Sequence, residues 1–112
     1  MKDLATRGED AAAELYEQVV ARNVRYPCGE IDIVARDHDG TVVFVEVKTR
    51  SGRGFGGAEA VTARKLARMR RAAARYLAEN PANSVRFDVV ELIARGSGFE
   101  LTRYVGVENG AG

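Results

Sequence analysis

The stretch GEIDIVARDHDGTVVFVEVK, from Gly29 to Lys48, restricts the fold of this chain more than any other segment. Two runs rich in Val, Ile and Phe flank His38-Asp39-Gly40, which is turn chemistry between two strands. If those three residues form the loop, with Gly40 in the left-handed position of a type I turn plus bulge, Asp37 faces Thr41. Counting back then pairs Asp32 with Glu46 and Glu30 with Lys48. Opposed residues share a face, with Cβ atoms about 4.5–5.5 Å apart. A two-residue loop at Asp39-Gly40 would instead pair Asp32 with Val47 and scatter the cluster.

Along the second strand, Val43, Val45 and Val47 line one face while Val42 and Phe44 line the other. Both faces are therefore expected to be buried and the strand central. Glu46 and Lys48 continue the Val42 and Phe44 face, where charged groups need a partner or a task. Two adjoining carboxylates can hold magnesium, and magnesium beside a lysine suits phosphodiester hydrolysis. The plainer reading is a Glu30 to Lys48 salt bridge with Asp32 and Glu46 merely near water. Spacing leaves both open.

The charge distribution points to a polyanion. The net charge is +1, yet the segment from Lys48 to Arg75 holds nine basic residues against one acidic residue, Glu59, leaving the remainder at −7. A helix is expected from about Thr62 to Glu79, with Leu66, Met69, Ala73, Tyr76 and Leu77 on its buried side. Arg64, Arg68, Arg71 and Arg75 recur on the opposite side, as phosphate contacts or as a solvated face. Before the helix, Gly52, Gly54 and Gly57 satisfy G-x-G-x-x-G. A dinucleotide fold needs more strand-helix-strand units than this chain can supply, so the segment reads as a loop over the site, with Arg50 and Arg53 near substrate phosphates and Phe55 packing or stacking.

The 112 residues, 46% of them hydrophobic, suit one domain, residues 1–112. The helix, strands, helix, strands order predicts an α/β fold with a mixed central sheet flanked by helices. Strands are expected from Val85 to Ile93 and from Phe99 to Val105, with a tail that frays from about Gly106 to Gly112. No segment reads as a signal peptide or membrane span, so a cytoplasmic location without membrane partners is expected. The single cysteine, Cys28, excludes an intrachain disulfide, and the lone histidine, His38, lies in the hairpin loop far from Asp32. Thr6-x-x-Glu9 fits a capping box at a helix start.

GEID followed at this distance by FVEVKTR resembles the YraN-like family of predicted bacterial endonucleases, within the PD-(D/E)xK nuclease superfamily and distantly similar to archaeal Holliday junction resolvases. Gly8-Glu9-Asp10, Arg22-Asn23-Val24-Arg25, Phe55-Gly56, Lys65, Ala73 to Leu77 and Arg86-Phe87-Asp88 extend the resemblance over most of the chain. It implies a restriction-endonuclease-like nuclease core and a metal-dependent endonuclease cutting DNA in preference to RNA, branched or damaged DNA included. By position, Asp32 is the motif aspartate and Glu46-Val47-Lys48 the (D/E)xK triplet. The resemblance implies that Asp32, Glu46 and the Val47 carbonyl hold Mg2+, for which Mn2+ would substitute. Lys48 would orient or deprotonate a water, and Glu9 would hold a water ligand or a second ion. A homodimer would suit a junction substrate, whose cleavage is symmetric. The alternative is a non-catalytic module on a nuclease-like fold that binds nucleic acid or a protein. Two departures stand out: Ile31 replaces the motif's proline, and no glycine turn separates Glu9 from Arg22. The first helix therefore ends early, or its connection is altered.

Overall fold

A computed structural model describes residues 2–51 and 63–107. Its elements are α1 (Leu4–Ala13), β1 (Gln18–Tyr26), β2 (Gly29–Arg36), β3 (Val42–Arg50), α2 (Ala63–Glu79), β4 (Val85–Arg95) and β5 (Gly98–Tyr104). The five strands form one sheet in sequence order. β3 and β4 run parallel, which requires the crossover that α2 supplies, and the other pairs are antiparallel. The result is the expected α/β arrangement of a mixed sheet flanked by helices.

The helices cover opposite faces. Ala12 of α1 packs with Ile33, Val43, Val45, Val90 and Leu92, whereas Met69, Ala72 and Ala73 of α2 pack with Val34, Val42 and Phe44. β3 is buried on both faces and central, as its Val and Phe pattern requires. Phe44 anchors the α2 side, edge-on to Tyr76 and stacked on Phe87, with ring centroids 5.9 and 5.5 Å away.

The helix ends follow local chemistry. Asp3 caps α1, its Oδ1 accepting the Thr6 N–H at 2.8 Å. This corrects the capping box expected at Thr6, because Asp3 is an equally good cap one turn earlier. α1 does end early, where the Leu15 and Tyr16 N–H groups fold back to the Ala12 and Ala13 carbonyls. At the far end of α2, Asn80 donates from its side chain to the Tyr76 carbonyl, and Pro81 follows.

The β4 alternation of Arg86 and Asp88 conceals an internal polar network. Asp88 is fully buried and accepts hydrogen bonds from Tyr16 Oη (2.7 Å), Arg86 Nε (2.9 Å) and the Gly106 N–H (3.0 Å). The Val107 N–H donates to the Phe87 carbonyl at 2.8 Å. The expected fraying therefore does not begin at Gly106, because the first two tail residues are tied to β4. Residues 108–112 lie outside the described residues. No described helix is long and apolar enough to cross a membrane.

Candidate metal centre

The β2–β3 turn has the three-residue form. Asp37 N–H donates to the Thr41 carbonyl, Gly40 N–H donates to the Asp37 carbonyl, and Gly40 has a φ of 91°. Ile33 pairs with Val45 and Val34 with Phe44. That register brings Asp32 level with Glu46.

Beyond Ile33 and Val45 the two strands part. Gly29 to Ile31 pair with β1, Glu46 to Arg50 pair with β4, and a fork opens between them. Asn23, opposite Asp32 in the β1–β2 register, has a φ of 54°, a left-handed kink within a strand. Ile31 and Val34 both pack in the cluster under α2, which strict alternation along β2 would forbid.

Asp32 stands at the crotch of the fork. Its Oδ2 accepts the Val47 N–H at 2.8 Å, a bond that a β2 carbonyl would otherwise make. Because the N–H and C=O of a strand residue project to the same side, the Val47 carbonyl also faces the fork. The opening is a cleft of about 340 Å³ lined by Glu9, Asp32, Glu46, Val47 and Lys48, and closed by Lys65, Arg68 and Met69 of α2. Two glycines permit the close approach of its walls. A Cβ on Gly8 would strike the Thr49 side chain, and one on Gly29 would strike the Arg68 carbonyl.

The acids are electrostatically uneasy. Burial, then the neighbouring Glu46 charge, pushes the Asp32 carboxyl up to about 7, with Glu9 adding to the effect. Burial also raises Glu46, against the opposing hydrogen bond from Lys65. Lys65 Nζ lies 2.9 Å from Glu46 Oε2. Spacing alone did not single out Lys65 as a site residue. The signal was its place four residues before the buried Met69, on the flank of α2, together with its part in the family resemblance.

The other anticipated residues divide. Glu9 lines the cleft but inclines toward Arg22, with Oε1 at 3.5 Å from the guanidinium. No ion pair joins Glu30 to Lys48 among the described residues; Glu30 lies near Arg25 instead. Arg50 is mostly buried beside Glu91 at 3.6 Å and does not line the cleft. Arg64, Arg68, Arg71 and Arg75 are all exposed, and Arg68 alone of them reaches the cleft. Arg53, Phe55 and the glycines Gly52, Gly54 and Gly57 lie outside the described residues.

The donor set suits a hard cation. Two carboxylates and a carbonyl are oxygen ligands, and a divalent ion would offset the burial that raises both acids. Among the described residues no three acidic, imidazole or thiol groups converge on one point. The candidate ligands are therefore Asp32, Glu46 and the Val47 carbonyl, with Glu9 set back.

The chain is similar in sequence to proteins of several bacteria. The chain is 49% identical to a UPF0102 protein of Corynebacterium efficiens, over 96% of this chain and 93% of that one. It is 47% identical to one from Mycolicibacterium smegmatis, over 94% and 92%. Over 72% of this chain and 70% of the relative, identity to one from Beutenbergia cavernae reaches 57%. A family model matches residues 8–92, a span that contains the fork, its acid pair and the helix closing the cleft. On that match, and in agreement with the resemblance of its motifs to the YraN-like family, the chain belongs to the uncharacterised protein family UPF0102.

Proposed function

We propose that this protein is a magnesium-dependent endonuclease that hydrolyses phosphodiester bonds in DNA, branched or damaged DNA included. The observation that carries the reading is the fork, where buried Glu46 and half-buried Asp32, both with raised pKa values, share one opening with a strand carbonyl and Lys48. Asp32, Glu46 and the Val47 carbonyl would hold the ion. When bound, it would supply charge stabilisation at the phosphate and a more acidic water.

The protein's own groups do the rest. The Val47 N–H fixes one oxygen of Asp32, whose side chain lines the opening. Lys48 Nζ orients the attacking water and offsets negative charge developing on the phosphoryl oxygens. Lys65 and Arg68 add positive charge on the α2 wall, favouring an anionic substrate over a neutral one.

One observation favours a second reading, a non-catalytic module that binds nucleic acid or a protein. Lys65 already sits on Glu46, so an ammonium meets part of the charge demand without an ion. Duplex, single-stranded, flap and four-way DNA incubated with Mn2+ separates the two. Catalysis predicts cutting of at least one substrate by the wild type and loss of that cutting in Lys48→Ala. Equal cutting by both proteins would assign the activity to a contaminant, and intact substrates throughout would favour the binding module.

A further inference from the structure

The outer face of α2 carries a row of positive charge that nothing in the described protein neutralises. Arg64, Arg68, Arg71 and Arg75 follow at intervals of four, three and four, and all are exposed. Like charges at these spacings weaken a helix. Several cations elsewhere find acids: Arg86 reaches Asp37 and Asp88, Arg103 reaches Asp88, and Lys65 reaches Glu46. Among the described residues Arg64, Arg68 and Arg71 reach no carboxylate. Arg70, one step off the row, is folded over the Phe87 ring at 4.4 Å. Arg75 lies over Tyr26 at 5.1 Å while remaining exposed.

Arg68 belongs to both features, since it stands second in the row and lines the cleft. The eleven-residue step from Arg64 to Arg75 covers about 16 Å of helix. At about 3.4 Å of axis per nucleotide, that matches roughly five nucleotides of one strand in a duplex. Beside the arginines α2 itself presents Ala67, Ala74 and Ala78, and the Tyr26 ring beside the row is covered by the Arg75 guanidinium, so this face of α2 offers no ring of its own on which an unpaired base could stack.

We propose that the outer face of α2 seats the sugar-phosphate backbone of a duplex arm that leaves the cleft at Arg68 and runs beside the helix for about five base pairs. The inference extends the endonuclease reading by naming where the uncut arm lies. Its contacts engage phosphates and are indifferent to base sequence.

The test is fluorescence anisotropy of a labelled duplex bound by the full chain in EDTA, across a salt series, so that no cutting is needed. In the double variant R64S/R71S affinity is expected to fall at least about tenfold, and the slope of log K against log salt to flatten by about 1.8, or 0.9 per lost phosphate contact. R7S/R36S removes two exposed charges from α1 and β2 and is expected to leave both quantities near wild type. Equal losses in the two variants, or none in R64S/R71S, would overturn the proposal. Wild-type salt-sensitive binding lost only in R64S/R71S, without metal-dependent cutting, would support the seat while removing the endonuclease reading. Metal-dependent cutting with an unchanged salt slope in R64S/R71S would do the reverse.

Discussion

Asp32 and Asp88 are both acids on interior strands of one sheet, and the fold treats them in opposite ways. Asp88 is surrounded by donors from Tyr16, Arg86 and Gly106. Burial pushes its carboxyl up, but those donors outweigh burial and hold it below the ordinary carboxylate range. Asp32 receives the Val47 N–H and faces Glu46, and its carboxyl rises to about 7. Burial alone therefore does not mark a functional acid. An acid whose charge is left incompletely compensated beside a cleft does.

The contrast can be broken most severely at Asp88. Asp88→Ala strands Arg86 and Tyr16 within the network and should cost about 3–5 kcal/mol in urea unfolding. A loss below about 1 kcal/mol would remove the claim that this network supports the fold. Next in size is the cleft wall: Gly29→Ala drives a Cβ into the Arg68 carbonyl, and α2 must shift at a cost of about 1–3 kcal/mol. The same unfolding assay should place Cys28→Ala, in the neighbouring turn, closer to wild type.

Asp32→Asn should act in the opposite direction. Asparagine keeps an acceptor for the Val47 N–H but removes the charge that burial and Glu46 disfavour. The folded-state pKa near 7 lies above the ordinary 3.8, so the native protein holds a proton that the unfolded chain releases. Wild-type stability attributable to Asp32 therefore falls as pH rises from about 4 to about 7. The variant should gain about 1–2 kcal/mol over wild type above pH 7 and nothing below pH 4. Asp88, with its lowered pKa, gives the opposite slope, its contribution being lost as pH falls through the acid range. Melting curves across pH for wild type and Asp32→Asn check the sign. The smallest effect belongs to Arg25→Ala, whose exposed pairing with Glu30 at 3.6 Å should matter by less than about 0.5 kcal/mol.

Much of the site was legible because hairpin register is local. The turn chemistry of Asp37, Asp39 and Gly40 narrowed the register to two loop lengths, and the structure has the three-residue one, with Asp39 Oδ1 also accepting the Thr41 N–H. The alternation of Val and Phe likewise revealed a central strand, and the helical spacing of Leu66, Met69 and Ala73 the inner face of α2. The fork was not legible, because the strands part where Asn23, one strand away, takes a left-handed conformation that no spacing argument exposes. Lys65 escaped spacing arguments for a related reason: its approach to Glu46 depends on how α2 crosses the sheet. Asp88 entered the sequence reading within the Arg86-Phe87-Asp88 motif, and the arrival of Tyr16 and Gly106 from distant positions helps make its burial tolerable. Arg50 had the right charge in the right neighbourhood, yet Glu91 on the parallel strand holds it.

The central claim is that the forked strands build a divalent-cation site from Asp32 and Glu46. Calorimetric titration of Mg2+ into wild type and Asp32→Asn near pH 7 tests it directly. The account predicts saturable binding by the wild type, with proton release from the raised acid, and no measurable binding by the variant. Equal binding by the two proteins, or none by either, would contradict it.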